Sequence, residues 1–155
     1  MPNIVIIDGN IVFSALLGSK IKLSIIVSPT HKLFAPVQII TELKKDESRM
    51  CEYADLTAQK FESYFKAILE YIEIVPYEQY ASYMERADKA MDCQHPEDAH
   101  YLACALAINA DFIWTKDKDF TRQNLVPVKT TKTMLARIKI FKYLDRLISS
   151  KFRER

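Results

Sequence analysis

Asp8, Glu42, Asp98 and Asp117 are the residues of this chain that most plainly offer chemistry. Four carboxylates drawn into one place would repel one another, and burial would raise some of their pKa values. A divalent cation resolves that conflict. Mg2+ and Mn2+ are hard ions that take oxygen ligands, commonly a few carboxylates and several waters. Beside a phosphodiester such an ion stabilises charge on the phosphate and lowers the pKa of an attacking water. The four acids therefore point to metal-assisted phosphodiester hydrolysis, provided the fold brings them together.

The surrounding sequence describes elements able to do that. Asn3–Ile7 is short, β-branched and uninterrupted, as a strand buried on both faces should be, and Asp8 follows its last residue. Phe112–Thr115 is a second such run, and Asp117 stands just beyond it. Between them lie strand candidates at Lys32–Ala35 and Ile72–Val75, and a last one at Leu125–Val128. A first helix is expected from Asn10, capped by its side chain, to Gly18; Ser19 caps a second. Pro36 is expected at the first position of the helix carrying Val37, Ile40, Glu42 and Leu43. Helical spacing continues over Leu56–Tyr71 and Glu78–Met91. Asp92–Pro96 reads as a loop, and Pro96 or Glu97 opens a helix that carries Asp98 and ends at Asn109. Asp117–Arg122 reads as a turn or short helix, and a basic terminal helix runs from Thr130 or Thr131 to Ile148.

Alternating strands and helices predict an α/β fold with a central, mostly parallel sheet and helices on both faces. Such sheets bind ligands at the carboxyl ends of their strands, where Asp8 and Asp117 are expected. The 155 residues suffice for one domain spanning 1–155, and no linker or repeat divides it. Only two glycines occur, so the Gly-rich loops of P-loop and dinucleotide-binding proteins are excluded. Three cysteines cannot all pair, which together with the absence of a leader-like start favours a reducing, cytoplasmic setting. No apolar run is long enough for a membrane span. Nine basic residues face only two acids from Lys129 to Arg155, a net of +7, which leaves −5 for the rest. An acidic body with a basic end suits a metal pocket together with a polyanion contact.

The motifs Ile6-Ile7-Asp8-Gly9-Asn10, Pro36 with Glu42, Pro96-Glu97-Asp98-Ala99 and Trp114-Thr115-Lys116-Asp117-Lys118-Asp119-Phe120 resemble those of the PIN-domain nucleases. The resemblance spans about residues 3 to 135, and the Thr-x-Asp-x-Asp-Phe segment is its most specific part. Many members read Asp-Thr-Asn where this chain has Asp8-Gly9-Asn10. The resemblance implies a three-layer α/β/α sandwich and a Mg2+- or Mn2+-dependent endoribonuclease. Its best-populated group of this length is the toxin of VapBC-type toxin–antitoxin pairs, which implies an RNA substrate, an antitoxin partner and a homodimer. Carried over by position, Asp8, Glu42, Asp98 and Asp117 are catalytic, with Asp8, Asp98 and Asp117 as metal ligands. Asn10 and Thr115 match polar positions that support the site; Asp119 reaches the site as a supporting residue or only braces the turn, and Lys116 and Lys118 are candidate RNA contacts.

Each residue also has a plainer reading. Asp8 could cap a helix, Glu42 could lie on a solvated face, and Asp98 or Glu97 could serve a helix dipole. Cys93, His95, His100 and Cys104 have no zinc-finger spacing, and Cys104 reads as a small buried hydrophobe. Tyr64, Phe65, Tyr71, Tyr77, Tyr80 and Tyr83 follow helical faces and read as core or subunit contact. The basic tail reads first as a solvated helix face, and otherwise as a contact for RNA phosphate or an acidic partner. Other functions open to the residues are RNA processing or decay outside a toxin–antitoxin pair, and a non-catalytic binding module. An aspartyl-phosphate enzyme fits poorly, because position 10 is Asn rather than a second Asp.

Overall fold

Five parallel strands form the centre of the molecule, in a computed structural model that describes residues 2–92 and 95–153. Their order is β3-β2-β1-β4-β5. The strands are β1 (Asn3–Ile7), β2 (His31–Pro36), β3 (Ile72–Val75), β4 (Phe112–Trp114) and β5 (Val128–Lys129). The chain steps outward from β1 to β3, then returns past β1 to lay β4 and β5 on its other side. Right-handed crossovers place the helices between β1 and β3 on one face and those between β3 and β4 on the other, while the terminal helix that follows β5 packs against the second helix of the chain. The result is the α/β/α sandwich expected, with every strand pair parallel.

The helices before β3 are α1 (Gly9–Leu16), α2 (Lys20–Ile26), α3 (Gln38–Lys45), α4 (Glu47–Ala54) and α5 (Ala58–Leu69). After it come α6 (Tyr77–Tyr80), α7 (Met84–Met91), α8 (Pro96–Ala107) and α9 (Thr131–Arg153). Val5, Ile6 and Ile7 of β1 are fully buried, as a strand covered on both faces requires. Helix α8 lies across β1, β2 and β4. Its run Tyr101–Ala105 is buried, and the small side chains Ala99, Ala103 and Ala105 let it approach the sheet closely. Asn109, at φ 53, takes the left-handed conformation that ends α8.

Several expected boundaries are corrected. Asn10 does not cap α1; Asp8, in extended conformation, holds that position, and its carbonyl accepts from the amides of Ile11 and Val12. Pro36 closes β2 instead of opening a helix, and the Val37 amide carries on to the Val75 carbonyl. The helical stretch 56–71 begins only at Ala58, where Thr57 accepts from the Lys60 amide. The stretch 78–91 is two helices joined by a 3-10 turn at Ala81–Tyr83, beside the buried Tyr80. Leu125 and Val126 form no strand, because their amides donate to the side-chain oxygen of Gln123. That side chain also donates to the carbonyls of Phe120 and Val126, so the segment is a loop wrapped around a buried amide.

Of the aromatic set, Phe65 and Tyr80 are core residues, whereas Tyr64, Tyr71 and Tyr77 are about half exposed. Helix α9 extends past Ile148, anchored by buried Met134 and Ile138, and leaves Phe141, Leu144 and Ile148 in solvent. No helix among the described residues is long and apolar enough to cross a membrane. Cys93 and Gln94 of the expected loop, and Glu154 and Arg155 of the basic tail, lie outside the described residues.

Candidate metal centre

The strand order reverses between β1 and β4, and the crevice at their carboxyl ends is where an open α/β sheet receives a ligand. Asp8 leaves β1 at that point, its amide donating to the Trp114 carbonyl across the 3.0 Å gap to β4. Thr115, the first residue past β4, is 1% exposed. Its hydroxyl donates to Asp8 Oδ2 at 2.5 Å and accepts from the Asp117 amide at 2.9 Å. One hydroxyl thus fixes the spacing of two acids whose residues lie more than 100 positions apart in the chain.

Asp117 caps the short 3-10 helix Lys118–Arg122, its Oδ1 accepting from the Asp119 amide at 2.9 Å. That turn brings Asp119 alongside. Carboxylate oxygens of Asp98, Asp117 and Asp119 all lie within 4.8 Å of one another. Asp119, expected either to reach the site or only to brace the turn, belongs to this group. Arg122, at 3.6 Å, partly offsets its charge, and His95 Nε2 lies 3.7 Å away. Asp98 enters from the first turn of α8, with Pro96 preset for the helix start.

A cavity of about 200 Å³ adjoins this group, lined by Asp8, Asn10, Glu42, Lys45, Asp46, Glu97 and Asp98. Glu42 reaches it from α3, accepting from the Tyr101 hydroxyl at 2.9 Å, while its Oε1 is buried without a hydrogen-bond partner. Asn10 lies exposed at the rim. Lys116 and Lys118 are exposed on the segment after β4 and join neither the carboxylate group nor the cavity lining.

Electrostatics follow from the crowding. Burial raises the Asp8 carboxyl, and nearby Asp117 adds to the rise against the opposing bond from Thr115. Burial pushes Glu42 up to about 7, opposed by Tyr101 and reinforced by Glu97, Asp8 and Asp98. Asp98 is pushed up to about 6 by burial, then by Asp8 and Asp117. Such a set of acids, drawn together and partly dry, is stabilised by a cation. An all-oxygen donor group of this size fits a hard divalent ion, Mg2+ or Mn2+, better than a thiophilic one. The zinc alternative finds no support among the described residues: His100 Nδ1 pairs with the Tyr80 hydroxyl at 2.9 Å, and buried Cys104 has its thiol pushed up to about 12.

Tyr101, Lys45 and Arg122 escaped the sequence reading. Tyr101 had a signal, since it lies three residues after Asp98 and so on the same helix face. Lys45 and Arg122 had none beyond their nearness to Glu42 and Asp119.

A family model described as PIN domain matches residues 6–139, and the chain belongs to that family. Its fold is shared by VapBC2 from Rickettsia felis, solved bound to a DNA fragment from their promoter, at 14% identity and TM-score 0.66. The match covers 82% of this chain and 98% of that one. VapBC-1 from nontypeable Haemophilus influenzae superposes with TM-score 0.63 at 18% identity, covering 83% of this chain and 98% of the other. FitAcB from Neisseria gonorrhoeae does so at 0.61 and 15%, covering 82% and 97%. No curated protein matches the chain in sequence.

Proposed function

We propose that this protein is a divalent-metal-dependent endoribonuclease, the toxin of a toxin–antitoxin pair, and that residues 1–155 form one functional unit. The observation that carries the proposal is the close approach of the Asp98, Asp117 and Asp119 carboxylates at the mouth of β1 and β4. Membership of the PIN domain family supports nuclease chemistry. The toxin role and an antitoxin partner are supported by the likeness to VapBC proteins. A homodimer and a cytoplasmic location complete the reading.

In it, Asp98, Asp117 and Asp119 would hold the ion, with Asp8 beside them. When bound, Mg2+ or Mn2+ stabilises charge on the scissile phosphate and acidifies a water. Thr115 keeps Asp8 and Asp117 at fixed separation, so the donor set is preorganised before metal arrives. Glu42 Oε1, buried and unpartnered, accepts the proton of the attacking water. Burial holds this carboxyl above the ordinary carboxylate range, which strengthens it as a base. Asn10 orients substrate at the rim, and Lys45, Lys116 and Lys118 meet the RNA phosphates flanking the cleaved bond.

The test is cleavage of unstructured RNA in Mn2+, Mg2+ or EDTA by wild type, Asp8→Asn and Asp98→Asn. Wild type should cleave only with metal, and each variant should lose at least about 100-fold. Equal activity in the variants would sink the assignment.

A further inference from the structure

Gly9 poses a question that backbone geometry does not answer. It is the first residue of α1, and Gly18 is the glycine with positive φ among the described residues. At a helix start where no positive φ is needed, a side chain is ordinarily tolerated. Space gives the reason. A Cβ built on Gly9 would lie 2.8 Å from the Tyr101 hydroxyl and 2.9 Å from Glu42 Oε2. These are the two atoms of the bond that holds Glu42, and it passes through the volume a side chain at position 9 would fill. Three helices meet there: α1 supplies Gly9, α3 supplies Glu42 and α8 supplies Tyr101.

Tyr101 is 1% exposed, and its ring packs edge-on against Phe120 of the segment carrying Asp117 and Asp119. Its hydroxyl therefore cannot wander, and Glu42 is oriented by a group anchored in the core.

We propose that Tyr101 is a positioning residue for Glu42, and that position 9 is glycine to leave room for their hydrogen bond. Gly9, Glu42 and Tyr101 are then one unit. A side chain at position 9 would force the Tyr101 hydroxyl or Glu42 Oε2 to shift. The inference takes its chemistry from the nuclease reading, but its steric half stands without it.

The experiment compares wild type, Gly9→Ala, Tyr101→Phe and the double variant. Melting temperature is read in EDTA, Mn2+ affinity by calorimetry, and RNA cleavage with Mn2+. Tyr101→Phe should fold and keep its Mn2+ affinity yet lose roughly tenfold in cleavage, because the bond orients Glu42 and not a residue assigned to the ion. Gly9→Ala should lower the melting temperature in wild type and far less beside Tyr101→Phe. Without the hydroxyl, the nearest remaining ring atom is Cζ at 3.8 Å, an ordinary contact, and the freed Glu42 can yield. An equal loss from Gly9→Ala in both backgrounds would overturn the steric unit. Unchanged cleavage in Tyr101→Phe would overturn the positioning role. If wild type neither binds Mn2+ nor cleaves, the nuclease reading fails and the positioning role falls with it. The thermal coupling between positions 9 and 101 would still decide the steric unit.

Discussion

Burial is the main reason Glu42 and Asp98 hold their protons more tightly than free carboxyls do, at about 7 and about 6. Their ordinary values are 4.5 and 3.8. Because the folded values lie above the unfolded ones, protonation favours the folded state. The stabilisation is complete below the unfolded values and is lost as pH rises through about 6 and then about 7. Metal-free protein should therefore melt at a lower temperature at pH 7.5 than at pH 5, roughly the two sides of those transitions. Glu42→Gln and Asp98→Asn, which carry no titrating carboxyl, should flatten this slope. A scan in EDTA that gave the same slope in both variants and wild type would mean that other groups govern it. Asp119 teaches a related lesson. Arg122 pairs with Asp119 beside Asp98 and Asp117, so the third acid of the group has a counter-charge.

Gln123 shows how one side chain can reassign an element. Its amide satisfies two backbone donors and two backbone carbonyls in the loop before β5. Gln123→Leu leaves those buried groups unpaired and should cost about 2 kcal/mol or more in chemical denaturation. A loss under about 0.5 kcal/mol would mean that water replaces the amide readily. The same residue explains a failed expectation, because Leu125–Val128 has the composition of a strand while its amides are already taken. The edge strand β3 was legible from Ile72, Ile74 and Val75 ahead of Pro76, and β1 and β4 because a strand buried on both faces leaves an unbroken apolar run. Their ends located Asp8 and Asp117, and the Pro96 helix start located Asp98. Helix breaks such as the one after Tyr80 were not legible, since tertiary contact with α8 decides them. Nor was the Glu42–Tyr101 bond, whose partners are 59 residues apart and whose clue was a glycine with no turn to make.

The order β3-β2-β1-β4-β5 brings every argument to one place. Adjacent parallel strands β1 and β4 end side by side, and α3 and α8 lean over that end with Glu42 and Asp98. An acidic crevice results, and the excess of basic charge lies toward the other end of the sequence, in and just before α9. The proposed function requires the crevice to be a metal centre rather than a set of solvated acids. Calorimetric titration of Mn2+ into the metal-free protein tests it most directly, with Asp98→Asn and Asp117→Asn alongside. The account predicts saturable binding by wild type and a loss of at least about tenfold in affinity in each variant. Binding of equal strength in all three, or none in wild type, would contradict it.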